Sequence, residues 1–599
     1  MTNLTTFLRT VILSLAVAMA PTAGTAFDGL AFNVAGDSDG LRAKLETASL
    51  LVTAKVDGKT DPRDVVAAAL ADYTKLLNTL YGEGYYGGVI HIRINGREAT
   101  SISPFAAPAR IDTIQVQITP GPQFTFARAS VTPPAPDATA TPGFQTGAPA
   151  RSTEVGDAVQ TAARDWRNTG HALVRVTDQT VVADHRHATL DARITLAPGP
   201  LVRFGELTLT TPSTVRATRI AKIAGLPSDQ VFSPKTLEQV AARLRRTGVF
   251  SSVVLSETTD LRAGDRMDIG LAVVDAKPRR FGFGAELSSI EGLSVSGFWL
   301  HRNLFGGAER FKVEAEISDI LNGVEGMDFS LTTRLDIPAA LGTDTDAFFT
   351  TTLEYLDDPA YRSALAGFGA GVHRRVSDRL AGEVGVAYSY ASVDDDLGHR
   401  RFSLLSLPAT LTWDGRDDML DAASGFYLHA TLTPFHDLSG GATGARVWLD
   451  GRGYLGLSDD RVILAGRGMI GSVLGANAAS VPSDYLFYSG GGGTVRGFPY
   501  QSLGIDLAPD TTIGGRSFFG ASGEVRYRLN DSFGLVGFAD AGHVGADSLL
   551  DFDGDWQVGA GLGLRYYTGL GPIRLDVALP VSGPGGSGPQ LYIGIGQAF

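Results

Sequence analysis

The stretch Phe311-Lys312-Val313-Glu314-Ala315-Glu316-Ile317 decides the fold class. Its odd-numbered positions are apolar and its even-numbered positions are charged, so a β-strand here has one apolar and one polar face. Such a strand is typical of a transmembrane β-barrel, in which residues point alternately to lipid and to the polar lumen. The stretch Ile573–Leu579 alternates in the same way, with the small Ala578 as its last inward position.

Alternating segments of this kind continue from Arg279 to Phe599. The last of them places Leu591, Ile593, Ile595 and Phe599 on one face, and Tyr592, Gly594, Gly596 and Ala598 on the other. Counting the segments predicts about sixteen strands, an even number as in other single-chain outer-membrane barrels. One set of connections is tight, as at Ser377-Asp378, and the other is longer, with its longest member from Gly475 to Gly515.

A soluble β-sandwich is the alternative, because its strands also alternate. Inward faces with charges of both signs, in an even-stranded array that ends on an aromatic residue, favour the membrane barrel. Composition agrees, since the 74 glycines concentrate in the C-terminal half and suit strands that curve and close. The absence of cysteine excludes disulfides, thiol catalysis and cysteine-ligated metal centres. A net charge of −13 argues against nucleic acid as the main partner.

The first 26 residues predict an export signal. Arg9 supplies the positive charge, Val11–Ala20 is apolar, and Gly24-Thr25-Ala26 offers small residues for cleavage. The mature chain is therefore expected to begin near Phe27, outside the cytoplasm. No later segment is continuous enough in apolar residues for a membrane helix.

Residues 27–277 are mixed α and β and contain internal repeats. Pro120-Gly121-Pro122 returns as Pro198-Gly199-Pro200, and a glycine that ends a helix before a strand appears at Gly84, Gly170 and Gly248. These markers predict three repeats of order β-α-α-β-β, at residues 27–121, 122–200 and 201–277, before a barrel at 278–599. In the second repeat the Pro-rich stretch 133–149 hides any first helix.

The long connection contains Gly490-Gly491-Gly492-Gly493-Thr494-Val495-Arg496-Gly497-Phe498. This motif, between the eleventh and twelfth strand segments, resembles that of the BamA/TamA superfamily of outer-membrane assembly and translocation proteins. Members combine polypeptide-transport-associated (POTRA) repeats with a sixteen-stranded barrel, and their Val-Arg-Gly-Phe/Tyr motif tips a loop that folds into the lumen.

Further signatures carry the same resemblance. Asp414-Gly415-Arg416-Asp417 with Gly425 looks like the family's turn between strands eight and nine, and Gly561–Arg565 like its strand-fourteen pattern. Phe538-Ala539-Asp540 resembles the strand-thirteen motif, and Glu524 takes the acidic position on strand twelve. Phe599 matches the family's terminal aromatic insertion signal. Three repeats are the TamA-like number, so the chain resembles a translocation-and-assembly-module subunit.

The chemistry of the loop motif can be stated from the residues. Alternation places Phe538 and Asp540 on one inward face, and Glu524 on that of the neighbouring strand. An arginine such as Arg496 on a Gly-rich loop finds there carboxylates suited to bidentate pairing. We therefore predict a lumenal lock of Val495, Arg496, Gly497 and Phe498 against Glu524, Phe538 and Asp540. The alternative is that Arg496 is a solvent-exposed loop residue without a partner in the barrel.

The resemblance implies an insertase or translocase without enzymatic chemistry. The repeats are expected to capture client outer-membrane polypeptides by adding a strand to a sheet edge. Gly282 and Gly284 on the first strand, and Gly594 and Gly596 on the last, predict a weak lateral seam in contact with lipid. A TamB-like, periplasm-spanning partner is implied by the family. The rivals are a two-partner-secretion pore, which usually has two repeats and a plug helix, and a passive porin, which lacks so long an arm.

Other candidate sites lose support on inspection. Asp551, Asp553 and Asp555 resemble a calcium loop, but Gly554 stands at its fourth position, not its sixth. Asp184, His185 and His187 fit a polar hairpin turn better than a metal site. The glycines before Arg496 lack the Gly-Lys-Ser/Thr of a phosphate loop. We expect no catalytic site, cofactor or metal.

Overall fold

The computed structural model describes residues 29–36, 40–59, 61–103, 105, 107–288, 292–320, 326–508, 511–569, 571–586 and 588–599. The predicted export signal lies outside the described residues. The chain divides into two compact units. The first comprises residues up to 205 with 228–236 and 259–267, and the second 206–227, 237–258 and 268–599. No helix of the described residues is long and apolar enough to cross a membrane.

The first repeat forms a four-stranded sheet covered by helices. Its elements are β1 (Gly29–Val34), α1 (Leu41–Ala48), α2 (Leu50–Val56), α3 (Pro62–Gly82), β2 (Val89–Ile94), β3 (Arg97–Glu98) and β4 (Thr113–Thr119). The sheet order is β1-β4-β2-β3, with β1 parallel to β4. Asp61 caps α3 by accepting from Arg63 N at 2.9 Å, as the Asp-Pro pair predicts. Leu76 and Leu80 of α3 are fully buried against Ile92 and Val116.

The second repeat departs from the predicted β-α-α-β-β order. Its elements are β5 (Thr125–Thr132), α4 (Ser152–Asn168), β6 (Arg175–Asp184) and β7 (Thr189–Ala197), in the sheet order β5-β7-β6. Residues 133–151 contain no helix, and apart from turns and bends they form one isolated bridge, between Pro149 and Thr125. Five prolines between Pro133 and Pro149 explain this, because proline lacks the donor that a helix interior needs.

The third repeat has the predicted order: β8 (Arg203–Leu209), α5 (Ala217–Ala224), α6 (Pro234–Arg246), β9 (Phe250–Glu257) and β10 (Arg266–Asp275). The expected boundary at 277/278, however, does not separate compact units. Both α5 and most of α6 belong with the barrel. Arg216 Nη1 donates to Phe305 O at 2.8 Å, and Arg243 Nη2 lies 2.8 Å from Asp344 Oδ2. These contacts tie the repeat's helices to turns of the barrel, which is why the division falls inside the repeat.

The rest of the chain is a closed antiparallel barrel with a small hairpin in one loop. Its strands are β11 (Arg279–Ser288), β12 (Gly292–His301), β13 (Arg310–Ile320), β14 (Asp328–Ile337), β15 (Thr345–Asp358), β16 (Tyr361–Arg375), β17 (Leu380–Asp395), β18 (Gly398–Ser406), β19 (Ala409–Asp414), β20 (Gly425–Asp437), β21 (Thr443–Leu457), β22 (Val462–Leu474), β23 (Ile505–Ala508), β24 (Thr511–Ile513), β25 (Ser517–Arg528), β26 (Phe533–Gly545), β27 (Trp556–Thr568), β28 (Gly571–Ser582) and β29 (Gln590–Ile595). The hairpin is β23–β24.

The barrel has sixteen strand positions in the described residues. Both β18 and β19 lie between β17 and β20, end to end, so they share one position. Pro408 stands at the break, and a residue without an N–H interrupts a ladder at that point. The predicted strand number is therefore confirmed.

The outer wall is apolar, as the alternation predicts. Along β17, Val384, Val386, Tyr388 and Tyr390 are all exposed, at two-residue intervals. Apolar side chains exposed in such a continuous band are expected to face lipid rather than water.

The loop of residues 475–516, here the inward loop, folds into the barrel. Its Val481, Leu486 and Phe487 are buried and pack against Val473 and Phe518 of the inner wall. The inward loop therefore fills the part of the lumen that these residues line.

Candidate functional site

The tip of the inward loop brings Arg496 against the inner wall of the barrel. Arg496 is only 3% exposed, and its neighbours Val495 and Phe498 are fully buried. Its Nε donates to Asp540 Oδ2 at 2.7 Å, and its Nη2 donates to Asp540 Oδ1 at 2.9 Å. This is the bidentate geometry predicted for an arginine facing a carboxylate, and the solvated alternative for Arg496 is wrong.

Two more carboxylates complete the surroundings of Arg496. Its Nη1 donates to Glu524 Oε1 at 2.8 Å and to Asp576 Oδ2 at 3.3 Å. Glu524, Asp540 and Asp576 lie on β25, β26 and β28, the twelfth, thirteenth and fifteenth positions. Asp576 was not among the predicted partners, although the alternation along β28 already placed it on an inward face.

Arginines of the same wall balance these carboxylates. Arg526 Nε donates to Glu524 Oε2 at 2.9 Å, and Arg565 pairs with Asp576. We call Arg496, Arg526, Arg565, Glu524, Asp540 and Asp576 the Arg496 network; none of these side chains is more than 4% exposed. Three arginines face three carboxylates, so the buried charges compensate one another, as burial of charge requires.

An aromatic ring and two glycines allow the loop tip to pack closely against the barrel wall. The Arg496 guanidinium lies 3.6 Å from the centroid of the Phe538 ring, which gives a cation–π contact. Gly497 has φ +100°, and a Cβ there would come within 2.7 Å of the Leu579 backbone. A Cβ on Gly559 would overlap the Arg496 carbonyl oxygen. Glycine therefore permits the approach from both sides.

The loop tip also contacts the last strand. Gly497 N donates to the Tyr592 hydroxyl at 3.0 Å, and Tyr592 is 4% exposed. Tyr592 was not among the predicted site residues, although alternation placed it on the inward face of β29. The hydrogen bond joins the loop tip directly to an edge of the predicted seam.

The segment after β29 turns into the barrel, which corrects the predicted face of Phe599. The strand ends at Ile595, and Gly596 has φ +95°, outside the range of an extended strand. Phe599 is 7% exposed and packs with Tyr454 and Ala465 instead of sharing the outer face of Leu591, Ile593 and Ile595. The turn at Gly596 breaks the two-residue alternation on which that prediction rested.

Two side chains hold this segment inside. Arg526 Nη2 donates to Phe599 O at 3.0 Å, so the Arg496 network extends to Phe599. Gln597 Nε2 donates to Asp421 Oδ1 at 2.9 Å, and Arg565 Nε donates to Gln597 Oε1 at 2.7 Å. Asp421 belongs to the turn between β19 and β20, where Arg416 pairs with Asp414 at 2.7 Å.

The seam between β11 and β29 is short. It has two residue pairs in the described strands, Leu287 with Ile593 and Ser288 with Tyr592, whereas β28 and β29 share six. In this register Gly284 and Gly594 are not partners. Gly282 packs under Phe298 of β12, where a Cβ would overlap the ring. The lack of a side chain at position 282 therefore makes room for the Phe298 ring of the neighbouring strand.

The minor candidates lie apart from this network. Asp184 and His187 flank an exposed hairpin turn, with His187 Nδ1 2.7 Å from Asp184 Oδ2. Asp551 and Asp553 lie in the exposed connection between β26 and β27.

The fold and site define a class: a sixteen-position barrel of the outer-membrane type, preceded by α/β repeats and closed inside by an arginine-tipped loop. Residues 303–599 match the Omp85 superfamily domain. The match covers the barrel from β13 to its last strand.

Individual proteins are also similar to this chain. The outer membrane protein assembly factor BamA of Nitratidesulfovibrio vulgaris is 23% identical over 442 residues, 69% of this chain and 53% of that protein, so the chain spans about half the length of this relative. The crystal structure of BamA from Haemophilus ducreyi lacking POTRA domains 1-3 is 16% identical with a TM-score of 0.64, covering 78% of this chain and 99% of that one. CdiB from Acinetobacter baumannii is 13% identical with a TM-score of 0.49, over 80% and 90% of the two chains.

Proposed function

We propose that this chain is an outer-membrane insertase or translocase of a Gram-negative bacterium, which assists the assembly or secretion of other outer-membrane or autotransporter polypeptides without enzymatic chemistry. The repeats face the periplasm and bind client polypeptide or a TamB-like partner. The barrel accepts client strands at the seam between β11 and β29. The name of the matched relative, an assembly factor, supports this direction.

The observation that carries the proposal is the short seam. Backbone groups without partners in lipid cost several kcal/mol each, so a barrel normally closes with a full ladder. The described strands share two residue pairs across the seam, which leaves little to break there when the wall opens. An incoming strand can satisfy the edges of β11 and β29, which makes opening tolerable.

The lumen supports an insertase over a passive porin. Val481, Leu486 and Phe487 of the inward loop pack against the inner wall, and the Arg496 network fixes the loop tip. A porin needs a water-filled path for solutes, and side chains buried in the lumen obstruct one. A two-partner-secretion pore is the second candidate, because it also carries repeats before a barrel.

Reconstitution tests the proposal. Proteoliposomes that contain the full-length chain are mixed with an unfolded outer-membrane polypeptide, and its folding is followed by heat-modifiable migration. We expect faster folding than in empty liposomes and little swelling in sugar solutions. Swelling without any acceleration of folding would make the chain a porin.

A further inference from the structure

A second charged cavity lies in the same compact unit, distant in sequence from the Arg496 network. It has a volume of about 390 Å³ and is formed by α5, the end of α6 and residues of β13 to β17 with the turn between β14 and β15. A water molecule takes about 30 Å³ of liquid volume, so the cavity can hold a small molecule or a chemical group, and not a folded segment.

The lining of the cavity is rich in cationic side chains. Its cationic side chains are Arg243, Arg246, Arg310, Lys312, Arg334 and Arg375, and its carboxylates are Asp336, Asp344, Asp346 and Glu383. Two further carboxylates outside the lining face these cations: Glu314 lies 2.6 Å from Lys312, and Asp378 lies 3.9 Å from Arg246.

The carboxylates of the cavity are already engaged. Asp344 binds Arg243 through both oxygens, at 3.0 and 2.8 Å. Arg334 donates hydrogen bonds to Asp336 at 2.7 Å and to Glu383 at 2.8 Å. Asp346 accepts from Ala339 N at 2.7 Å. The carboxylates therefore have little capacity left for further cations.

Three arginines remain without a carboxylate at hydrogen-bond distance. Among the described residues, Arg310 and Arg375 donate no side-chain hydrogen bond. Arg246 lies 3.8 Å from the nearest oxygen of Asp344 and 3.9 Å from Asp378 Oδ1. The pKa of Arg246 lies below its ordinary value. Burial is the larger cause, and the second is repulsion by the charge of Arg375. An anion between them would relieve this repulsion.

We propose that the cavity binds a phosphate-type oxyanion, either inorganic phosphate or the phosphomonoester headgroup of a lipid. A phosphomonoester carries about −1.5 to −2 charges near pH 7, so it can pair with both Arg246 and Arg375, whereas a carboxylate carries only one. Guanidinium groups suit phosphate because they offer paired donors to its oxygens. This inference is independent of the proposed function.

Calorimetric titration of the full-length protein with inorganic phosphate, in detergent and a Tris-chloride buffer of constant ionic strength, tests the proposal. We expect saturable binding that becomes about tenfold or more weaker in each of Arg246→Gln and Arg375→Gln, since each loses a charge-assisted contact. Arg401→Gln is the control, because it removes an exposed arginine of β18 outside the cavity. Acetate should bind more weakly than phosphate.

The source of the group is decided in nanodiscs. If phosphatidic acid in the disc competes with added phosphate, the headgroup is the ligand; if it does not, free phosphate is. Absence of saturable phosphate binding, or equal binding by the double variant Arg246→Gln/Arg375→Gln, would overturn the proposal. It is also wrong if a glutamate-rich peptide binds there and phosphate cannot displace it.

Discussion

Arg496 and Asp540 form a bidentate ion pair, with Nε–Oδ2 and Nη2–Oδ1 distances of 2.7 and 2.9 Å, although 44 residues separate them in the chain. The pair joins the inward loop to β26. Because both groups are buried, the effects of changing either can be predicted.

Arg496→Ala should destabilise the barrel and free the loop. Removing one member of a buried ion pair costs about 3–5 kcal/mol, because the remaining charges lose their compensation. Here Asp540, Glu524 and Asp576 would all lose their shared cation. We expect lower heat stability and faster proteolysis in residues 475–516. Arg401→Ala, on an exposed arginine, serves as the control.

The double variant Arg496→Ala/Asp540→Ala should be less destabilised than the sum of the single changes, since both partners of one interaction are removed. If all three variants retained wild-type activity and protease resistance, the network would have no function in holding the loop.

A disulfide across the seam should block client assembly. Leu287 and Ile593 are partners in the register of β11 and β29, so cysteines there fall within the Cα separation that a disulfide spans. In the oxidised protein we expect a folded barrel that no longer accelerates client folding, with activity restored by a reductant.

The matched control for the seam is Val577→Cys/Leu591→Cys, a partner pair between β28 and β29. It introduces the same chemistry one strand away, and oxidation should leave activity unchanged. Full activity of the cross-linked seam variant would show that lateral opening is unnecessary.

Acid should weaken the tie between α6 and the barrel. Hydrogen bonds from Arg243 hold the pKa of Asp344 below its ordinary value. A carboxyl with a depressed folded-state pKa contributes stability above its unfolded-state pKa, and that contribution is lost as the pH falls through the folded-state pKa. Asp344→Asn should therefore lower thermal stability at neutral pH, and the difference from wild type should disappear in acid. A difference independent of pH would assign the effect to packing.

Tyr592→Phe should loosen the loop tip without disturbing the strand. The change removes the hydroxyl that accepts from Gly497 N and leaves a buried donor unpaired, at a cost of about 1–3 kcal/mol. Thermal unfolding and hydrogen exchange at Gly497 would measure it. Tyr388→Phe, at an exposed hydroxyl, should be nearly neutral. Unchanged exchange at Gly497 in Tyr592→Phe would contradict the expectation.

A fragment of residues 27–200 should be soluble and fold cooperatively, because the first two repeats have their own buried clusters. Extension to residue 277 adds Arg216 and Arg243, whose partners Phe305 and Asp344 lie in the barrel. We expect circular dichroism to show a less cooperative transition for the longer fragment. Equal cooperativity would mean that the third repeat needs no support from the barrel.

Local periodicity was enough to predict the barrel, its strand number and the inward faces of Glu524 and Asp540. It was not enough for Phe599, because one glycine with positive φ at position 596 redirects the chain. Nor could it give the pairing of Arg243 with Asp344, which are 101 residues apart. The register of the seam, in which Gly284 and Gly594 are not partners, could not be predicted either. These depend on how separate elements meet in space, which no short pattern contains.

The partners of the loop tip also set an order of events during biogenesis. Glu524, Asp540 and Asp576 follow Arg496 by 28, 44 and 80 residues, and Tyr592 follows Gly497 by 95. The tip therefore cannot be fully bound until the final strand has been delivered. Contacts of such long sequence separation form late and slowly. A chain halted before β29 would hold its loop by a partial set of bonds, so sealing of the interior belongs among the last steps by which this barrel matures.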